Sequence, residues 1–104
     1  MTQDTPMRQV LRGAFGETIR TLRKQRKIPQ ERLALLAGID RGYMGMLERA
    51  EHTPTIELTH KIICGLELPY LEFWTQYYET FDLLCRRRKL RPCPKANGRN
   101  HKKG

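Results

Sequence analysis

The sequence predicts an all-α fold of five helices. Apolar side chains recur three or four positions apart along most of the 104 residues, and no segment alternates apolar and polar residues as a half-buried strand does. Three prolines, Pro6, Pro29 and Pro69, stand where a helix would begin. Gly38 suits a turn with positive φ, and Asp40 then offers an N-cap oxygen. These signals favour short helices joined by tight turns.

The first three helices are predicted over about residues 6–26, 29–37 and 41–49. In the first, a stripe of apolar residues at helical spacing is expected to be buried: Leu11, Phe15, Ile19 and Leu22. Helices two and three meet at the Gly38 turn, where the small Ala34 lets them cross closely. Met44 and Leu47 are expected to turn inward. A helix, a tight turn and a second helix with an outward polar side are the parts of a DNA-reading helix-turn-helix.

The fourth helix is predicted from a Thr55 cap to about Gly65, with Cys64 as a small buried side chain. Its expected core face consists of Ile56, Ile62, Ile63 and Leu66. The fifth helix is predicted over residues 69–89. Its apolar residues, spaced 3, 4, 3 and 4 apart, form a heptad-like seam: Leu71, Trp74, Tyr78, Phe81 and Cys85. We expect the second half of this helix to pack against a partner protomer; the alternative is a helix folded back across its own bundle.

Residues 15–74 share a set of sequence words with one known family: IRTLRKQRKI, Gln30-Glu31, Leu33-Ala34, Ala37-Gly38, Arg41, Tyr43, Leu47-Glu48-Arg49, Pro54-Thr55, Lys61-Ile62, Leu66 and Glu72. Together they are far more specific than a helix-turn-helix phrase alone. On these residues the chain resembles the Cro/C1 repressor-type helix-turn-helix family, also called the XRE family. The resemblance implies a five-helix, lambda-repressor-like domain that binds operator DNA, usually as a dimer.

The resemblance also implies a set of DNA-contacting residues on helices two and three: Gln30, Arg41, Gly42, Tyr43, Gly45, Met46 and Arg49. Arg41 is the expected base reader, because a guanidinium pairs with guanine through two hydrogen bonds worth about 1–3 kcal/mol of discrimination. The alternative is an exposed Arg41 that meets only phosphate or solvent. Gln30 is implied to clamp a phosphate and to brace Arg41. Met46 stands where the family usually has a polar or basic reader; it either meets a thymine methyl or packs on the helix surface. Arg23 and Lys27 are weaker phosphate candidates.

The other members of that set each carry a structural alternative. Arg41, Gly42, Gly45 and Met46 are expected on the outward side of helix three. The two glycines let the backbone approach the bases, or simply weaken the helix. Tyr43 reaches a phosphate through its hydroxyl, or is a half-buried ring, and these are not exclusive. Arg49 holds a phosphate, or pairs with a neighbouring glutamate.

Departures from the family pattern at the helix ends concern stability. Ala50 and Glu67 stand where the family commonly has a glycine C-cap, so each costs about 1 kcal/mol or shifts the helix end. Pro29 replaces a usual Ser or Thr cap. Glu48 matches a family glutamate that is structural, bonding backbone or a nearby basic group.

The net charge of +9 is distributed unevenly along the chain. Residues 86–104 carry nine Lys or Arg and no acidic residue, whereas residues 1–85 hold eleven of each sign. Within that balanced part, residues 1–49 have ten basic and five acidic groups, and residues 50–85 have one and six. The predicted DNA-reading half is therefore the basic half of the domain.

The chain is predicted to divide into a helix-turn-helix domain, residues 1–90 with its motif at 30–49, and a disordered basic tail, residues 91–104. The tail has two prolines, two glycines and too few apolar side chains to offset the entropy of ordering. The cluster RRRKLR at 86–91 is interpreted as an arm that adds affinity by releasing counterions from DNA. A membrane-surface segment and solvated disorder are the alternatives.

Several function classes are disfavoured by what the sequence lacks. There is no apolar run of membrane-spanning length and no secretory signal, and three cysteines without a CxxC pair suit a reducing cytoplasm. No catalytic constellation, cofactor motif or small-molecule pocket is visible, so no enzyme is predicted. Cys85, Cys93 and His101 are too widely spaced for a structural zinc site, so no metal is expected.

The predicted function is a cytoplasmic, sequence-specific DNA-binding transcriptional regulator that acts as a repressor. It is expected to read double-stranded operator DNA in the major groove through residues 41–49, as a homodimer formed by the C-terminal helix. The alternative is an antitoxin or adaptor-type protein-interaction module with secondary DNA binding. An RNA-binding protein that uses the basic tail is a third class.

Overall fold

The computed structural model describes residues 4–92, which form five α-helices and no strand. The helices are α1 Pro6–Gln25, α2 Gln30–Ala37, α3 Arg41–Glu48, α4 Ile56–Leu66 and α5 Tyr70–Arg87. The predicted all-α class is confirmed, and each helix lies within two residues of its expected ends. Most of the predicted tail lies outside the described residues. Within residues 4–92, no helix is both long enough and apolar enough to cross a membrane.

Local sequence explains where the helices begin. Side-chain oxygens of Thr5, Asp40 and Thr55 cap α1, α3 and α4 by accepting hydrogen bonds from backbone N–H groups of the first turn. α2 and α5 instead begin directly after Pro29 and Pro69, neither of which makes a side-chain cap bond. Proline fits there because its fixed φ, −64° at both positions, suits the extended conformation of a residue before a helix, and its missing N–H has no helical partner.

Left-handed residues end α2, α3 and α4. Gly38 has a φ of 74°, whereas the non-glycine residues Ala50 and Glu67 have φ values of 63° and 57°. Both residues therefore adopt the left-handed conformation of a glycine cap, in which a side chain with Cβ is expected to cost roughly 1–2 kcal/mol. The helix ends have not moved to avoid it. The same backbone hydrogen bonds form as at a glycine cap, for example from Glu51 N–H to the Met46 carbonyl at 2.8 Å.

Helix α1 is the central element of the bundle. It packs against α3 and α5, while α2 packs against α3 and α4. The main core draws on all five helices: Phe15, Ile19, Leu22, Leu33, Ala34, Ala37, Met44, Leu47, Ile62, Ile63, Leu66 and Phe73. A second, smaller core joins the start of α1 to the end of α5: Val10, Ala14, Phe81 and Cys85.

Three residues expected in the core are exposed. Leu11 is 41% exposed and Ile56 is 82% exposed, and Cys64 also lies on the surface. Helical spacing defines a stripe but not its rotation, which the neighbouring helices set. α1 turns Val10 and Ala14 inward and leaves Leu11 at the rim. Ile56 and Cys64 lie on the solvent side of α4, whose buried face is completed by Thr59 instead.

The C-terminal seam is divided between the two sides of α5. Phe81 and Cys85 are buried against α1 of the same chain, whereas Leu71 and Tyr78 are 77% and 56% exposed. For Phe81 and Cys85 the partner-facing prediction is wrong, and the fold-back alternative is observed. The reason is that α1 is long enough to reach the end of α5 and offers the small Ala14 for close contact.

A close crossing of α1 and α3 requires glycine at position 16. A Cβ added to Gly16 would lie 2.5 Å from the Leu47 carbonyl oxygen and 2.7 Å from that of Glu48. Both atoms belong to backbone, so neither can move without displacing α3. We expect Gly16→Ala to lower the free energy of unfolding by about 1–3 kcal/mol, the usual cost of overpacking, measured by urea denaturation.

Gly13, one turn earlier on α1, is the matched control. A Cβ there would meet only the Leu84 side chain, at an ordinary 3.7 Å. Gly13→Ala is therefore expected to raise stability by roughly 0.5–1 kcal/mol, because alanine favours a helix interior. Equal effects of the two substitutions would contradict the assigned crossing of α1 and α3.

Candidate nucleic-acid interface

The N-terminal end of α3 presents an unobstructed basic residue. Arg41 and Gly42 are exposed, and Met46 is half-buried one turn further on. The Asp40 carboxylate caps this end by accepting from the Gly42 N–H at 2.9 Å, as expected. Arg41 forms no ion pair or hydrogen bond with another side chain in residues 4–92, so its guanidinium is available to a ligand in front of the helix.

Gly45 does not face outward as predicted. It is buried, and an added Cβ would lie 3.0 Å from Nη1 of Arg49 and 3.6 Å from Oε1 of Gln30. These two polar side chains therefore extend over the α3 backbone at Gly45. Because Gly45 has no side chain, it leaves room for the side chains of Gln30 and Arg49. Three of the predicted site residues, Gln30, Gly45 and Arg49, therefore lie together.

A buried ion pair holds this part of the surface. Nε and Nη2 of Arg23 donate to the two carboxylate oxygens of Glu48 at 2.7 and 3.0 Å, and Nη1 donates to the Ile28 carbonyl at 3.0 Å. The side chains of Arg23 and Glu48 are only 11% and 4% exposed. The interpretation of Arg23 as a phosphate candidate is therefore wrong, because Glu48 and the Ile28 carbonyl use its donors. Glu48 has the structural role that the resemblance implied.

Gln30 is fixed by the same carboxylate. Its Nε2 donates to Oε1 of Glu48 at 3.0 Å. The expected bracing of Arg41 by Gln30 is not observed, since within residues 4–92 the Gln30 side chain bonds Glu48. The amide is nevertheless held at the N-terminus of α2, where unpaired backbone N–H groups favour an anion. This arrangement can position a phosphate oxygen.

Tyr43 and Arg49 already have partners in the unbound protein. The half-buried Tyr43 ring lies against His52, with 5.4 Å between ring centroids. Nε of Arg49 donates to Glu51 at 2.9 Å across an exposed contact. This hydrogen bond lowers the pKa of the Glu51 carboxyl and raises that of Arg49. Arg49 must leave Glu51 to hold a phosphate, and that costs little because an exposed pair contributes little.

A comparison with known protein families decides the classification. The profile of the helix-turn-helix family matches residues 19–73, which contain α2, the Gly38 turn and α3. The chain belongs to the Cro/C1-type helix-turn-helix family. The predicted resemblance is confirmed.

Relatives of this helix-turn-helix protein include transcription regulators. Over 59 residues, or 57% of the chain, it is 38% identical to the HTH-type transcriptional regulator SutR of Escherichia coli strain K12. That match spans 33% of SutR, so the chain aligns with only about a third of that protein's length.

Solved structures show the same fold. The restriction-modification controller protein C.Esp1396I, as a tetramer in complex with its natural 35 base-pair operator, is 27% identical with a TM-score of 0.65. The similarity covers 68% of this chain and 93% of that one. The clp gene regulator ClgR from Corynebacterium glutamicum has a TM-score of 0.70 over 76% of this chain and 84% of its own, at 22% identity.

Sequence reasoning missed one residue that supports α3 in this helix-turn-helix protein. Nε of Arg12 donates to the Ala50 carbonyl at 3.0 Å, and its Nη1 pairs with Asp4 at 2.7 Å. The hydrogen bond from Arg12 lowers the pKa of the Asp4 carboxyl. Arg12 thus ties α1 to the residue that ends α3. Because Arg12 and Ala50 are 38 residues apart in the chain, no local sequence pattern predicts this contact.

Proposed function

We propose that the protein is a sequence-specific DNA-binding transcriptional regulator, acting as a repressor on double-stranded operator DNA in the cytoplasm. The observation that carries the proposal is Arg41 at the N-terminal end of α3, which is exposed and has no side-chain partner among the residues that the structure describes. In a helix-turn-helix this end of the second helix enters the major groove. The family and the operator-bound C.Esp1396I structure support the same role. A regulator of this kind acts by binding DNA rather than by catalysing a reaction.

The proposal gives different tasks to different residues of the surface. Arg41 reads a base edge, and Gly42 and the half-buried Met46 lie beside it on the groove side. Gln30, Arg49 and the Tyr43 hydroxyl contact phosphates, which fix position without carrying sequence information. Gly45 contributes space for Gln30 and Arg49 rather than a contact of its own.

The proposed assembly is a homodimer that uses the remaining exposed face of α5. Leu71 and Tyr78 are seven residues apart on this face, and the half-buried Trp74 lies between them. Aromatic side chains are enriched at interfaces, and a two-fold dimer places the same patch of both chains in contact. Phe81 and Cys85, which pack on α1, have no part in it.

The proposed basic arm begins in a part of the chain that packs against the helical domain. Leu90 packs into the second core, and its N–H donates to the Cys85 carbonyl at 2.8 Å. Nη1 of Arg88 donates to the Gln9 side chain at 3.1 Å. Residues 86–91 are thus held beside α1, and residues 91–104 are proposed to extend from a domain that ends near residue 90. Phosphate contacts from this segment add affinity that falls as salt rises.

Selection of double-stranded DNA from a random library on the purified chain tests the function. We expect enrichment of a motif with two similar half-sites centred about 10–10.5 base pairs apart. A chain that enriches no motif, and that is stable only with a co-expressed partner protein, contradicts the proposal and supports the adaptor or antitoxin alternative. Stronger competition by structured RNA than by DNA supports the RNA-binding class.

A further inference from the structure

Two metal-ligand side chains lie together on the exposed face of α4. His60 and Cys64 are one helical turn apart, and Sγ of Cys64 is 3.5 Å from Nε2 of His60. The hydroxyl of Tyr70, at the start of α5, hydrogen-bonds Nδ1 of the same imidazole. All three residues are exposed. The sulfur and Nε2 therefore lie side by side at the surface, and the far ring nitrogen is already engaged.

We propose that His60 and Cys64 form half of a zinc site that a second copy of the chain completes. Zinc binds sulfur at about 2.3 Å and imidazole nitrogen at about 2.0–2.1 Å, so tetrahedral geometry sets these two ligand atoms about 3.6 Å apart. The observed separation is 3.5 Å. The spacing His-x₃-Cys also falls within the range found for ligand pairs on the helix of a zinc finger.

Tyr70 acts as a positioning residue in this site. Metal-binding imidazoles characteristically have their second ring nitrogen hydrogen-bonded, which fixes the ring orientation and the nitrogen that faces the metal. The Tyr70 hydroxyl occupies that position at Nδ1. It leaves Nε2 as the ligand nitrogen, on the side of the ring where the Cys64 sulfur lies.

One chain supplies too few ligands for a closed site. Within residues 4–92, no group of three or more His, Cys, Asp or Glu side chains is arranged to hold a metal ion. A two-fold contact places a patch against its own copy, so two chains present two sulfurs and two nitrogens, a Cys₂His₂ set. Tyr70, 47% exposed and in contact with His60, offers apolar surface for that contact to cover. Each thiol releases its proton as its sulfur binds the metal.

Cobalt(II) titration of the reduced full-length chain, without DNA, tests the site. We expect saturation at one ion per two chains, with a sulfur-to-cobalt charge-transfer band and the intense visible bands of tetrahedral cobalt. Added zinc should displace the cobalt. Cys64→Ser and His60→Ala should abolish these bands, and Tyr70→Phe should weaken binding by about tenfold. Both ligand residues are exposed, so circular dichroism of the variants should match that of the unaltered chain.

Cys93→Ser is the matched control, because this cysteine lies outside the described residues and is not part of the proposed set. It should leave the cobalt spectrum unchanged. One ion per chain, weak octahedral bands, absence of binding, or bands that survive Cys64→Ser would each overturn the proposal. Because no DNA is present, these outcomes are independent of the proposed regulator function.

Discussion

Replacing Glu48 by alanine is expected to destabilise the protein by about 3–5 kcal/mol, the usual effect of removing one member of a buried ion pair. The Arg23 side chain, 11% exposed, would lose its counter-charge and, among the described residues, would keep the Ile28 carbonyl as its acceptor. Gln30 would lose its acceptor as well. Since small domains are stable by roughly 5–15 kcal/mol, the loss is a large fraction of the total. Urea denaturation measures it directly.

The exposed pair of Glu57 and Lys61 is the control for this prediction. Its atoms are 3.7 Å apart, and the two side chains are 80% and 52% exposed. Glu57→Ala should therefore change stability by no more than about 0.5 kcal/mol. If Glu48→Ala proves no more destabilising than Glu57→Ala, the assigned pairing of Glu48 with Arg23 is wrong.

Replacing Arg41 by alanine is expected to weaken binding to the preferred DNA by about 1–3 kcal/mol, which is roughly 5- to 150-fold. The reason is that Arg41 is exposed at the N-terminal end of α3, and within residues 4–92 no intramolecular partner competes with a base for its guanidinium. Preference at one base pair in each half-site should disappear. Binding curves against the selected site and its single-base variants measure both effects.

Arg49→Ala distinguishes base reading from phosphate contact. Both substitutions remove a guanidinium from the same helix-turn-helix surface, but a phosphate contact weakens binding to all sequences about equally. We therefore expect Arg49→Ala to lower affinity without changing base preference. If Arg41→Ala produces this uniform pattern, Arg41 contacts the backbone, and base reading must be assigned to another residue.

Most of the fold was predictable because its signals are local. Proline at helix starts, the Asp40 and Thr55 caps and the Gly38 turn each act within a few residues of one another. Their physical chemistry depends on backbone geometry at a single chain position. The short sequence motifs of the helix-turn-helix family depend on the same local spacing. The family and the position of its motif could therefore both be identified from the sequence. The exposure of Arg41 also followed from its place directly after the Asp40 cap.

The rotation of each helix about its own axis, which decides the face that is buried, is harder to predict from the sequence. A stripe of apolar residues is compatible with several rotations, and the packing partner selects one. The sequence predicts Leu11 in a buried stripe at helical spacing and Cys64 as a small buried side chain, but α1 and α4 turn other residues toward their neighbours. It predicts a partner interface for the end of α5, but α1 of the same chain covers Phe81 and Cys85.

The sequence by itself determined where the helices begin and turn, the family, and which short helix presents Arg41. Only the tertiary structure decided which residues that are distant in the chain contact each other. Arg23 pairs with Glu48, 25 residues away, Gly16 lies beneath the end of α3, and Tyr70 lies beside His60. The physical reason is distance dependence. Ion pairing, close packing and hydrogen bonding all require atoms within a few ångströms, and only folding brings these residues that close.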